Sequence, residues 1–175
     1  LRPAYSVWPA EVRKWEHLSH LTVKVLHGPK KDQLVREPAD VNVINYEGLA
    51  WLVRHVPRKS PRDPWPWQML VCDESTRIKH PNTDRFRTLK PMLPEFARRY
   101  ILTGSPAPNG LLYLFGQVFA LDLGRSLGQY ISHYKMNYFD QTGYLNYVST
   151  PKPGAEKSIY EKLRPLVLRM SAEDH

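Results

Sequence analysis

A single cysteine, Cys72, stands among the 175 residues, which excludes a disulfide framework and any Cys-rich zinc site. No apolar run approaches the roughly 18 residues of a membrane span, and no signal-peptide pattern opens these residues. Low-complexity tracts and internal repeats are missing too, and 42% of the residues are apolar, so a folded domain with a real core is expected. Acids are the minority charge: 17 Asp and Glu against 25 Lys and Arg, a formal +8. That excess suits a polyanionic partner such as nucleic acid, and serves solubility equally. The seven histidines are scattered; His17 and His20 lack acidic or thiol partners at useful spacing, which favours surface placement over metal ligation. Ser75 and Ser105 have no histidine assignable to them, leaving a hydrolase triad unsupported. Leu1-Arg-Pro3 carries no capping signal, and an upstream segment is expected.

What is present sorts into alternating strands and helices. Leu21–Leu26 alternates and is β-branched, a strand ended by His27-Gly28-Pro29; Val41–Asn45 is a second strand. Met69–Cys72 and Tyr100–Leu102 follow, with a short exit strand at Leu166–Leu168. After an extended Leu1–Tyr5, Pro9 at a first helical position predicts a helix to about His17, with Trp8, Val12 and Trp15 as its apolar stripe. A short helix falls within Lys30–Asp40, and Tyr46–His55 is a helix burying Leu49, Leu52 and Val53. Asn82–Met92 presents Phe86, Leu89 and Met92 at helical spacing, and Phe96–Arg99 adds a turn. Leu111–Leu121, Leu127–Tyr138 and Ala155–Leu163 complete the helices. The alternation predicts an α/β fold with a mainly parallel sheet. Arg54–Arg62 carries four Lys or Arg and no acid, a surface loop open to two readings: a solvated face, or a phosphate contact. Of Tyr130, Tyr134, Tyr138, Phe139, Tyr144 and Tyr147, most are expected to pack, leaving one or two for stacking on bases.

The informative stretch begins at Met69. Its apolar run ends abruptly in Asp73 and Glu74, the pattern of a parallel strand buried on both faces. Ligand chemistry in open α/β folds sits just beyond the carboxyl ends of such strands. An acidic pair there suits nucleotide hydrolysis, one carboxylate holding Mg²⁺ and the other orienting the attacking water. A helix-capping or solvent-facing acid pair is the plainer alternative. Cys72, inside that strand, reads as a small core residue. Thirty residues past Asp73, a second strand runs into Thr103-Gly104-Ser105. Small hydroxyl residues around a glycine can hydrogen-bond a neighbouring carboxylate or a phosphate, though alone they are a turn.

Together these motifs resemble the Swi/Snf-related helicase-like ATPases of superfamily 2. Asp73-Glu-Ser-Thr-Arg-Ile-Lys79 is similar to motif II of that family, and Leu102-Thr-Gly-Ser-Pro-Ala-Pro-Asn-Gly110 to motif III. Leu1-Arg-Pro3 with Trp8–Trp15 resembles motif Ia and its helix, and Val43–Leu49 resembles motif Ib. Leu112–Asp122 and Leu163–Arg169 follow in family order, nearest in look to compact phage-encoded or bacterial members.

The resemblance implies a RecA-like, P-loop NTPase-type three-layer sandwich over residues 1–122, with a helical C-terminal extension over 123–175 leading toward a second RecA-like lobe. By the same resemblance Asp73 binds Mg²⁺–ATP and Glu74 polarises water. Thr76, Thr103, Gly104 and Ser105 couple the nucleotide to DNA, and Arg2, Pro3, Asn45, Tyr46, Lys79 and Asn109 lie along its backbone; on the phosphate-contact reading of the basic run, its charge adds Arg58 and Lys59 to them. Such contacts bind without reading sequence. The implied protein is a DNA-dependent ATPase or translocase using ATP and Mg²⁺ in a bacterial or phage-infected cytoplasm, with no membrane partner. Two departures stand out. Thr76 replaces the His or Gln of many relatives, so a link from motif II to motif III runs through its hydroxyl or is missing. No Gly-x-x-x-x-Gly-Lys-Ser/Thr loop occurs in these residues, so alone they are expected neither to hold ATP tightly nor to hydrolyse it. A non-catalytic nucleic-acid-binding module on a degenerate lobe is the alternative.

Overall fold

The computed structural model describes residues 3–58, 60, 63–107, 110–142 and 148–169. The chain divides into two compact units, one up to Pro66 and one from Trp67 on.

In the first unit, helix α1 (Pro3–Lys14) packs on β1 (Val23–Val25) and β2 (Val41–Val43), which pair in parallel with Val23 beside Val41. The helix starts at Pro3, so the expected extended Leu1–Tyr5 is corrected from that residue on, and Pro9 lies inside the helix rather than opening it. Tertiary contact outweighs the bond that an interior proline forfeits: Val12 is buried, and Tyr5 stacks on His27 at 4.7 Å. Trp15 leaves the predicted apolar stripe and stands exposed, its indole donating to Glu11 at 3.1 Å. Past β1, α2 (Lys31–Leu34) precedes a clasp in which Asp40 accepts from the amide and hydroxyl of Thr22, at 2.8 and 2.6 Å. A 3-10 turn capped by Asn45 leads into α3 (Leu49–His55), which buries Leu49 and Leu52. Val53 sits at the edge of that stripe and is exposed, contrary to expectation.

The second unit is built on β3 (Met69–Cys72) and β4 (Arg98–Ile101), parallel and in register from Met69 beside Arg98 to Cys72 beside Ile101. The pair is not buried on both faces. Cys72 faces inward, while Met69 (47% exposed), Val71 and Tyr100 (49%) point the other way, since successive side chains alternate. Helix α4 (Asp84–Leu89), capped by Thr83, buries Phe86 and Leu89, with Met92 following. The turn expected over Phe96–Arg99 falls earlier, at Leu93–Glu95, and Arg98 and Arg99 belong to the strand. Arg99 belongs there because its guanidinium ties three backbone carbonyls together, those of Leu93, Phe96 and Leu121.

Helix α5 (Leu114–Asp122), led in by a 3-10 turn over Leu111–Tyr113, packs on β4 and is buried on nearly every side. Asp122 closes it by accepting from the amides of Gly124 and Ser126, at 2.9 and 2.8 Å. This turn delays α6 to Ile131–Tyr138, whose fully buried Tyr134 donates to the carbonyl of Leu111 at 2.9 Å. An antiparallel hairpin that periodicity did not foretell, β5 (Phe139–Thr142) with β6 (Val148–Pro151), precedes α7 (Ala155–Leu163). Helix α7 has the expected bounds and buries Ala155, Ile159 and Leu163. The strand expected at Leu166–Leu168 is absent among the described residues: a 3-10 turn holds Arg164–Leu166, and Leu168 is 85% exposed with no strand beside it.

Candidate nucleotide and nucleic-acid site

Parallel pairing decides where the two motifs emerge. With Cys72 beside Ile101, Asp73 and Leu102 leave the sheet side by side at the same carboxyl edge. Backbone bonds continue past the ladder, Leu102 N to Cys72 O at 2.9 Å and Ser75 N to Leu102 O at 2.9 Å. The acidic turn and the hydroxyl loop therefore share one rim.

Asp73 and Glu74 are both exposed, and Asp73 Oδ1 accepts the Glu74 amide at 2.9 Å. Glu74 is left-handed (φ 50°, ψ 53°), a conformation that side-chain-bearing residues adopt at a cost of about 1–2 kcal/mol. Strain of this kind concentrates at functional turns. Across the edge, Thr103 Oγ1 accepts the Ser105 amide at 3.2 Å, closing a short turn. Gly104 has ordinary φ and nothing within 4 Å of where a Cβ would stand. Among the described residues nothing crowds that position.

Thr76 is half-buried, and its hydroxyl makes no hydrogen bond among the described residues, which leaves the second of the two alternatives, no link through Thr76. The connection runs instead through a residue outside both motifs. Ser75 Oγ donates to Gln117 Oε1 on α5 at 2.7 Å, and Gln117 Nε2 donates to Pro106 O at 2.7 Å and Tyr113 O at 2.9 Å. Gln117 is the one polar side chain of its helix ahead of the closing Asp122, and that break in pattern is the signal by which sequence could have found it.

The exposed carboxylates suit a hard cation such as Mg²⁺, which is held by one or two carboxylates with phosphate oxygens and water. Among the described residues no three His, Cys, Asp or Glu side chains gather into a self-contained metal site. An ion at Asp73 would therefore draw the rest of its shell from nucleotide and solvent.

The other candidates scatter. Lys79 lies over the Tyr113 ring at 4.5 Å, and His80 meets the same ring edge-on at 4.9 Å. Desolvation, then the Lys79 charge, holds the His80 pKa below its ordinary value. Asn45 caps the turn after β2 by accepting the Gly48 amide at 2.9 Å, with Tyr46 half-buried beside it. Arg58 covers Trp65 at 4.4 Å and donates to Asp63 O, so its fork already has local partners. Pro3 opens α1, while Arg2, Lys59 and Asn109 lie outside the described residues, as do Tyr144 and Tyr147.

The SNF2-related domain family matches residues 4–172. The chain belongs to that family. This SNF2-related domain is 34% identical over 147 residues to protein p41 of Acyrthosiphon pisum secondary endosymbiont phage 1, covering 79% of this chain and 31% of that protein. It is 30% identical over 118 residues to the DNA repair and recombination protein RDH54 of Saccharomyces cerevisiae, covering 62% and 12%. Against the chromatin remodeling factor mit1 of Schizosaccharomyces pombe the figures are 26% over 172 residues, covering 93% and 11%. Its fold is that of the Sulfolobus solfataricus SWI2/SNF2 ATPase core in complex with dsDNA: TM-score 0.67 and 24% identity, over 94% of this chain and 31% of that one. The domain is thus RecA-like α/β, and spans about a third or less of these proteins.

Proposed function

We propose that this SNF2-related domain is most of the first RecA-like lobe, to about Asp122, of a DNA-dependent ATPase that moves on or remodels duplex DNA in the cytoplasm. The observation that carries this reading is the common rim on which Asp73-Glu74 and Thr103-Gly104-Ser105 emerge from parallel neighbours. Asp73 holds the Mg²⁺ of bound ATP, and Glu74 orients the attacking water toward the terminal phosphate. The open space over Gly104 supports close approach of that phosphate to the loop. Thr103 and Ser105 sense it and pass its state to the DNA contacts. Asn45, Tyr46 and Lys79, with Arg2, Pro3, Arg58, Lys59 and Asn109, meet the phosphate backbone, helped by the +8 charge. The DNA in the Sulfolobus solfataricus complex supports that choice of partner.

The test is Glu74→Gln in the gene product that carries these residues together with a phosphate-binding loop and a second lobe. DNA-stimulated ATP hydrolysis should fall about 100-fold or more, the scale of removing a general base. An unchanged rate overturns the ATPase assignment. DNA binding that weakens with salt and ignores nucleotide, with no hydrolysis in the parent protein, would instead identify a binding module.

A further inference from the structure

Among the described residues three polar side chains are buried: Ser75, Gln117 and Asp122. Asp122 closes its own helix. Ser75 and Gln117 meet across 42 residues of sequence, at 0% and 1% exposure, where a lost bond is not replaced by water.

The geometry permits one arrangement. Pro106 O and Tyr113 O can only accept, so the Gln117 NH₂ must face them, at 2.7 and 2.9 Å. That leaves Oε1 facing Ser75, whose hydroxyl must donate. Turning the amide over would set Oε1 against two carbonyls. One planar group therefore holds the residue after the two acids and the residue after the Thr103–Ser105 loop. Ser75 is pinned a second time, through its amide to Leu102 O, which leaves the left-handed Glu74 little freedom of its own. The supporting helix is seated firmly: a Cβ at Gly116 would stand 2.3 Å from Ile78 O, so α5 lies directly on the backbone of the turn that carries Ser75.

We propose that Gln117 is a positioning residue that couples the acidic turn to the hydroxyl loop, so that a displacement at Glu74 is delivered to Thr103–Ser105 through Ser75, the Gln117 amide and Pro106. The proposal rests on the ATPase reading above and adds the route that Thr76 does not provide. A role in packing alone is the alternative that the experiment separates from it.

The paired substitution Ser75→Ala with Gln117→Leu removes the polar link and leaves two apolar side chains in its place. In the same gene product, the ratio of ATP hydrolysis with duplex DNA to that without should fall about tenfold, the scale of one buried hydrogen bond, while the thermal midpoint falls modestly because Pro106 O loses its donor. A packing role would change both rates together and leave their ratio alone. Gln117→Met, of similar shape, gives the same readout should the paired variant melt below the assay temperature. A ratio within about twofold of the parent in a folded variant overturns the proposal, since that is less than the weakest bond assigned here. Glu74→Gln run alongside keeps the two ideas apart: retained hydrolysis overturns the ATPase reading itself, and a parent rate indifferent to DNA overturns both.

Discussion

Gly116→Ala tests the packing on which the site stands. In an open helix interior this change stabilises by about 1 kcal/mol, since alanine is the better helix former. Here the added methyl would lie 2.3 Å from Ile78 O, 2.7 Å from Lys79 O and 2.8 Å from Lys79 C, all backbone. An ordinary carbon–oxygen contact is about 3.3 Å, so α5 or the turn must retreat by about 1 Å. Neither moves easily: Arg99 holds the end of α5 through Leu121 O, and Gln117 holds the turn through Ser75. Overpacking of this kind costs about 1–3 kcal/mol, and backbone opposition sets it at the upper end. Subtracting the propensity gain leaves a net loss of about 2 kcal/mol, or a midpoint lower by about 4–8 °C in a chain of this size. Urea unfolding with an unchanged m-value is the assay, and Gly104→Ala is the control, because no described residue lies within 4 Å of a Cβ there. A Gly116→Ala protein as stable as its parent, or more so, refutes the close approach and with it the rigid seat of the acidic turn.

Two further outcomes are expected, one at the acidic turn and one in the first unit. Glu74→Gly relieves the left-handed backbone and should raise stability by about 1 kcal/mol, and on the proposed ATPase reading it should also abolish hydrolysis by the parent gene product; a destabilised variant in thermal melts would deny the strain. In the first unit, the side-chain bond and charge of Lys24, at 2.6 Å, hold Glu37 below the usual carboxylate range, and the Thr22 hydroxyl and amide do the same for Asp40. A depressed folded pKa contributes stability that is complete above the unfolded value and lost as pH falls through the folded one. Stability should therefore decline on acidification from the ordinary carboxylate range downward, and Lys24→Met should flatten that decline in melts recorded across pH.

Much of the architecture was legible because its signals are local. Ala155–Leu163 repeats apolar residues at a helical period and folds with those bounds. Leu111–Leu121 is apolar enough to be buried wherever it goes, and α5 is. Elsewhere local rules lost to contacts they cannot see. Pro9 reads as a helix start, yet burial of Val12 and the stacking of Tyr5 on His27 carry the helix through it. Arg98-Arg99 reads as the end of a turn, but one guanidinium satisfying three carbonyls draws that pair into β4. Met69–Cys72 reads as a strand covered twice, and its burial was decided by what packs on each face.

The chemistry at the rim was set by the residues themselves. Two acids and a Thr-Gly-Ser loop, each ending an apolar run, carry their charge, hydroxyls and spacing in the chain, and their family resemblance with them. Whether the two ends meet depends on strand direction and register, and which atom joins them depends on a side chain 42 residues beyond Ser75. Hydrogen bonds in a dry interior are chosen by distance through space. Only the folded molecule could pass over the hydroxyl of Thr76 and select the amide of Gln117.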